Sequence, residues 1–217
     1  MDATEGTARP VFDPSVAHPA RVYNVWLGGK DHYAADRDVA ARVIEQRPQV
    51  LDASAANRQF LGRAVRHAAR CYGVRQFIDI GTGLPAPDNT HEIAQQVDAW
   101  SRVVYVDNDP LVMSHARALL ASTDEGCCDY LHADLRDTTR ILKEARRTLD
   151  FSRPVAVLLL AVLHFVAFSD RFKINMCSDL LLYVVNMFAT CMAAVGLMRV
   201  RTLAWMREPG YVMVCGA

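Results

Sequence analysis

Between residues 76 and 134, three short apolar runs each end at an acid or a glycine turn, and few folds accommodate such a pattern. The runs are Phe77-Ile78-Asp79-Ile80-Gly81-Thr82-Gly83, Val103-Val104-Tyr105-Val106-Asp107-Asn108-Asp109-Pro110 and Tyr130-Leu131-His132-Ala133-Asp134-Leu135. Helix signals separate them. Asn89 and Glu92 have capping-box spacing, while Asp109 and Pro110 suit an N-cap and first helical residue. A fourth run, Val155 to Leu160, is continuously apolar, as expected of a strand covered on both faces. Strands alternating with helices predict an α/β, doubly wound, mostly parallel Rossmann-like sheet. Such sheets bind ligands at the carboxyl ends of their strands, so the three acidic ends should converge.

The remaining elements follow from periodicity and punctuation. Strands are expected at 76–80, 102–107 and 129–133, with helices at about 90–99, 110–121 and 138–148. Upstream, 36–46 has helical spacing up to Pro48, and a second helix capped by Asp52 or Ser54 should reach Cys71, with Gly73 as its C-terminal stop. Residues 14–33 read as irregular and 1–14 as a loose arm. Three regions result: an N-terminal arm and helical lid at 1–72, a core at 73–168 and an atypical apolar segment at 169–217.

Net charge is zero, so no basic field argues for nucleic acid. The six cysteines have no Cys-x-x-Cys pair and no metal-ligand spacing, which suits reduced thiols in the cytoplasm. The N-terminus lacks an apolar core and does not read as a signal peptide. Beyond Phe168 the composition shifts, with six of the eight methionines and thinning charge. Leu180 to Met198 are nineteen residues without a charge, a length that can cross a bilayer. Membrane contact through 180–198 is therefore the alternative to a cytoplasmic location.

The strand ends point to one ligand class. Gly81-Thr82-Gly83 lets the backbone turn sharply and approach a ligand. Gly81-x-Gly83-x-x-Ala86 also fits a dinucleotide fingerprint, which keeps a nicotinamide-dependent oxidoreductase open. Pro85 and Pro87 hold the loop extended where a pyrophosphate-binding helix would begin, and Asp79 puts a carboxylate beside it. That carboxylate suits a cationic sulfonium and an amino group. Asp107, 24 residues after Gly83, can accept ribose hydroxyls unless it serves only a capping network with Asn108 and Asp109. Asp134 can reach an adenine amino group with Leu135 against the ring, or cap the following helix.

These residues resemble class I S-adenosylmethionine-dependent methyltransferases. Asn24-Val-Trp-Leu-Gly-Gly-Lys-Asp-His-Tyr, Ala56-Asn-Arg-Gln-Phe-Leu, Phe77-Ile-Asp-Ile-Gly-Thr-Gly-Leu-Pro and Tyr105-Val-Asp-Asn-Asp-Pro are similar to an actinobacterial S-adenosyl methyltransferase family, long carried as a domain of unknown function. The likeness covers roughly 13–166. It implies a seven-strand methyltransferase sheet, S-adenosylmethionine as methyl donor and no settled acceptor. It also implies that Asp79, Gly81 and Gly83 hold the methionine end, Asp107 and Asn108 the ribose, and Asp134 and Leu135 the adenine. Tyr23, Asn24, Gly28, Gly29 and Lys30 would close over the cofactor, with Arg58 bracing that lid. His164, just past the fourth strand, is the candidate base on the acceptor side, and His32 is a weaker one.

After Val166 the family pattern is lost, and only Tyr211 to Val214 reads as a further strand. The fourth strand is then expected to be a poorly covered sheet edge, and the substrate wall to be missing. The leading reading is a methyltransferase acting on a small molecule. The competing one is an inactive cofactor-binding remnant of a truncated or frameshifted gene.

Overall fold

Each apolar run becomes a strand because its residues alternate between two buried faces. In Arg102–Asp107, Val103 and Tyr105 point to one side of the sheet and Val104 and Val106 to the other, and none is more than 1% exposed. The computed structural model describes residues 13–119, 121–162 and 165, and the backbone of 211–216. Three helices come first: α1 (Pro19–Trp26), α2 (Ala34–Gln46) and α3 (Val50–Cys71). The sheet units follow as β1 (Gln76–Ile80), α4 (Thr90–Val97), β2 (Arg102–Asp107), α5 (Pro110–Leu119), β3 (Cys127–His132), α6 (Thr138–Ala145), β4 (Val155–Leu160) and β5 (Tyr211–Gly216).

The strands form one sheet of order β3-β2-β1-β4-β5, with every pairing parallel. The chain winds outward from β1 to β3, then crosses back to place β4 on the other side of β1. Such a reversal is where open α/β sheets take their ligands, beside the carboxyl ends of the strands. One face packs Leu61, Val65 and Ala68 of α3 and Ile93 of α4 against Phe77, Val103, Tyr105 and Leu158. The opposite face packs Ile141 and Ala145 of α6, with Leu149, against Ile78, Val104, Val106 and Val155. Burying each such large apolar side chain contributes about 1.5–3 kcal/mol.

Local signals set the boundaries. The Asn89–Glu92 capping box forms and starts α4 at Thr90. Gly73 adopts φ 65°, and the Val74 N–H returns to the Ala68 carbonyl, closing α3. Three expectations need correction. Residues 14–33 are not wholly irregular, because His18 and Pro19 start α1 there. Helix α3 begins at Val50, so Asp52 lies in its first turn rather than at its cap. The fourth strand is not an uncovered edge, since β5 pairs along it from Val155–Tyr211 to Leu160–Gly216.

At the other end of the sheet, β3 presents its own margin. There the Arg117 guanidinium donates to the Tyr130 carbonyl at 3.2 Å, and the Asp129 carboxylate accepts the Tyr130 N–H at 2.8 Å. Side chains thus occupy backbone groups that would otherwise template another strand. Among the described residues no helix is long and apolar enough to cross a membrane, and 180–198 lies outside them.

Leu158 is fully buried between β1 and the α3 face. Leu158→Ala should therefore cost about 2–5 kcal/mol of unfolding free energy, read from urea denaturation midpoints.

Candidate functional site

The chain leaves β1 through a turn whose two glycines do different jobs. Gly81 has φ 75° and donates its N–H to the Val106 carbonyl at 2.8 Å. A Cβ there would come within 2.5 Å of Val162, so this glycine makes room for the chain leaving β4. Ala161, just before, holds φ 51°. That left-handed backbone, rare for a residue with a Cβ, turns Val162 over the glycine. Gly83 has φ 67°, and a Cβ would meet nothing within 4 Å, so open space faces it. Thr82 bridges the two strands by donating its hydroxyl to the Asp79 carbonyl at 3.0 Å and the Val106 carbonyl at 3.3 Å.

Asp79 is buried, and its Oδ2 accepts the Thr90 hydroxyl at 2.6 Å. Burial lifts its carboxyl above the ordinary value, against the lowering pull of Thr90 and Arg58. Asp107 stands at the end of β2, with Oδ2 accepting the Gly83 N–H and Oδ1 the Asp109 N–H, both at 2.9 Å. Its carboxyl is also raised, first by burial. An ionised carboxylate has about four lone-pair sites, so two backbone bonds leave capacity for ligand hydroxyls. Asn108 is exposed, and its carbonyl lies 3.0 Å from His132 Nε2 on β3.

The end of β3 is arranged differently. Asp134 accepts the Arg136 N–H at 2.9 Å and its Nε at 2.8 Å, with a further contact from the same guanidinium. These bonds hold its carboxyl down at about 2. The helix cap does not use it: Asp137 caps α6 by accepting the Arg140 N–H. Leu135 is half-buried.

In the N-terminal helices, Tyr23 donates its hydroxyl to the Ser54 carbonyl at 3.1 Å and accepts from Asn57 Nδ2 at 3.0 Å. Buried Asn24 shapes the following loop, taking the Asp31 N–H on Oδ1 and the Gly29 N–H on its carbonyl. Gly28 and Lys30 are exposed. Arg58 is engaged with the glycine-proline loop rather than with the lid loop. Its guanidinium donates to the carbonyls of Ala86, Pro87 and Asp88 and to Asn89 Oδ1, at 3.0–3.2 Å from one nitrogen. His32 Nε2 contacts the Gly29 carbonyl at 3.1 Å, while His164 lies outside the described residues.

A buried charge cluster escaped the sequence reading. Arg21, 4% exposed, lies with Nε 3.4 Å from Asp109 Oδ2 and 3.6 Å from Asp36 Oδ1. Asp36 also accepts the His18 N–H at 2.9 Å and the Tyr33 N–H at 2.8 Å. His18 Nδ1 sits 3.1 Å from Asp109 Oδ2. Asp109 in turn caps α5 by accepting the Leu111 N–H. The cluster therefore ties α1 and α2 to the turn that carries Asp107. Only the Tyr33–Asp36 spacing, that of a helix cap, hinted at it.

Three strand ends, a glycine turn open at Gly83 and acceptors at Asp79 and Asp107 thus make up the candidate site. A family model described as S-adenosyl methyltransferase matches residues 5–181. The chain belongs to this family. The match runs past Val166, so the family pattern extends further than the residues alone disclosed. A crystal structure of a DUF574 family protein from Streptomyces avermitilis MA-4680 is 40% identical, with a TM-score of 0.71, covering 89% of this chain and 82% of that one. A candidate methyltransferase from Thermobifida fusca YX is 44% identical, with a TM-score of 0.66, over 70% of this chain and 57% of that one. No curated protein matches.

The family implies S-adenosylmethionine, and the residues present fit it. The strand ends offer acceptors, namely Asp79 and the spare lone pairs of Asp107. A ligand carrying an ammonium, a sulfonium and ribose hydroxyls supplies the complementary charge and donors. A pyrophosphate fits less well, because the nearby Arg58 is spent on loop carbonyls.

Removing Arg21 leaves Asp36 and Asp109 buried without their counter-charge. Arg21→Met should cost about 3–5 kcal/mol, visible as a lowered thermal midpoint. Asp79 gives a pH-dependent outcome. Its folded carboxyl binds a proton more tightly than the unfolded chain does, so its contribution to stability is full below 3.8 and declines as pH rises through the folded value. Asp79→Asn should therefore raise the melting temperature of the ligand-free protein at neutral pH. The gain should vanish in melts run below the ordinary value of 3.8.

Proposed function

We propose that this chain is an active methyltransferase that moves the methyl group of S-adenosylmethionine to a small-molecule acceptor. The observation carrying this reading is the 2.9 Å bond from Gly83 N–H to Asp107, which draws two strand ends together around the open side of the glycine turn. When bound, the cofactor supplies an electrophilic methyl on a positively charged sulfur.

The chain's residues divide the work. Asp107 accepts ribose hydroxyls, with Asn108 beside it. Asp79 supplies negative charge at the methionine end, and Gly83 lets the backbone approach. The block Tyr23, Asn24, Gly28, Gly29 and Lys30 closes the crevice against water. Asp134 and Leu135 border the adenine, with Asp134 first releasing Arg136 if it is to contact the base. Holding donor and acceptor in line can contribute about 7–11 kcal/mol of the barrier reduction. His164 is assigned to the acceptor side, where a base adds roughly 10²–10⁴-fold when the nucleophile must lose a proton. A chain without net charge suits a small acceptor rather than nucleic acid. A cytoplasmic location accords with its scattered cysteines, of which Cys71, Cys127 and Cys128 are free thiols.

Isothermal calorimetry tests the reading. S-adenosylmethionine and S-adenosylhomocysteine should bind and NAD should not. Asp107→Ala should weaken both adenosyl ligands by about 1.5–3 kcal/mol, the range for hydrogen bonds to a charged group. Binding of NAD in preference, or an unchanged affinity in the variant, refutes the assignment.

A further inference from the structure

The side-chain amide of Asn57 has one end accounted for and the other not. Asn57 is 8% exposed, and its Nδ2 donates to the Tyr23 hydroxyl oxygen at 3.0 Å. That hydroxyl gives its own proton to the Ser54 carbonyl at 3.1 Å, so it can only accept from Asn57. The orientation of the amide follows from this chain of bonds. Oδ1 is the atom turned away from Tyr23, and it is buried without a hydrogen-bond partner. Native proteins rarely leave a buried acceptor in that condition unless a ligand or water completes it.

The surroundings define the missing donor. Arg58, next along α3, grips the loop that follows Gly83 and acts electrostatically on both the Tyr23 hydroxyl and the Asp79 carboxyl. Arg58 also bonds Asn89 Oδ1, and the neighbouring Thr90 hydroxyl donates to Asp79, so α3 leads from the Tyr23–Asn57 pair toward the end of β1. Asp79 supplies a buried carboxylate and Asn57 a buried amide oxygen, both acceptors, a donor set that favours an N–H group over an anion.

We propose that Asn57 is a cofactor-binding residue whose Oδ1 accepts a hydrogen bond from the α-ammonium of the cofactor's methionine portion. Asp79 supplies the counter-charge, and Tyr23 is the positioning residue that fixes the amide. The inference rests on the S-adenosylmethionine reading given above.

Calorimetry on the full chain uses two probes, S-adenosylhomocysteine and 5′-methylthioadenosine. Both carry adenine and ribose, but only the first has the amino-acid end. Asn57→Leu should weaken S-adenosylhomocysteine by about 10- to 100-fold and leave 5′-methylthioadenosine unchanged. Tyr23→Phe should give a smaller loss with the same selectivity, and Asn57→Asp, which keeps an acceptor, should retain S-adenosylhomocysteine affinity relative to Asn57→Leu. Equal losses for both probes would mean a purely structural residue and overturn the proposal, as would no loss for either. Should Asn57→Leu not fold, the Tyr23→Phe and Asn57→Asp pair decides by the same criterion. Failure of the wild-type chain to bind S-adenosylhomocysteine would instead overturn the parent reading.

Discussion

The Asp107 carboxylate is the junction on which the rest of the site depends. One oxygen holds the glycine turn after β1, and the other holds the turn that starts α5. The first of these bonds adds to those that Gly81 and Thr82 make with Val106, and it carries the tie between the ends of β1 and β2 on to Gly83. The cost is visible in the raised carboxyl, since burial opposes the charge that these bonds favour. The site is thus built from groups that are unfavourable in the isolated protein and become favourable when a donor-rich ligand arrives.

The helical lid extends the same logic outward. Arg21, Asp36 and Asp109 place charges from α1, α2 and the β2–α5 turn in one buried cluster, with His18 beside it. Buried ion pairs add little net stability against an apolar replacement, yet breaking one leaves an uncompensated charge. Their effect here is positional. Asp109 joins the lid cluster on its side chain and donates its N–H to Asp107, so the lid and the candidate ribose contact share one residue.

Much of the fold was legible from residue pattern. Alternating buried faces gave β1, β2 and β4 their expected limits, and Asn89 and Glu92 located α4. The first helix was not legible, because His18 is an unusual cap and the run around Arg21 mixes charge with apolar residues. The site divides similarly. Asp79, Asp107 and the glycine turn are local motifs and could be read directly. Arg58 was read as a lid brace, because its true partners are carbonyls 28–30 residues away and carry no side-chain signature. Asp134 was read without Arg136, whose guanidinium folds back two residues and claims the carboxylate. Asn57 gives no local signal of its unpartnered Oδ1, which emerges only once Tyr23 and Ser54 are in place.

The contact of Val162 with Gly81 joins the chain leaving β4 to the turn that follows β1. The first residues beyond β4, where a methyl acceptor would be housed in the proposed enzyme, rest directly on the turn assigned to the donor. Remodelling that wall for a different acceptor would press on the donor turn within a single van der Waals layer. A larger side chain at 162 would accordingly be felt first at Gly81, one strand away, rather than in the helices that cover the sheet.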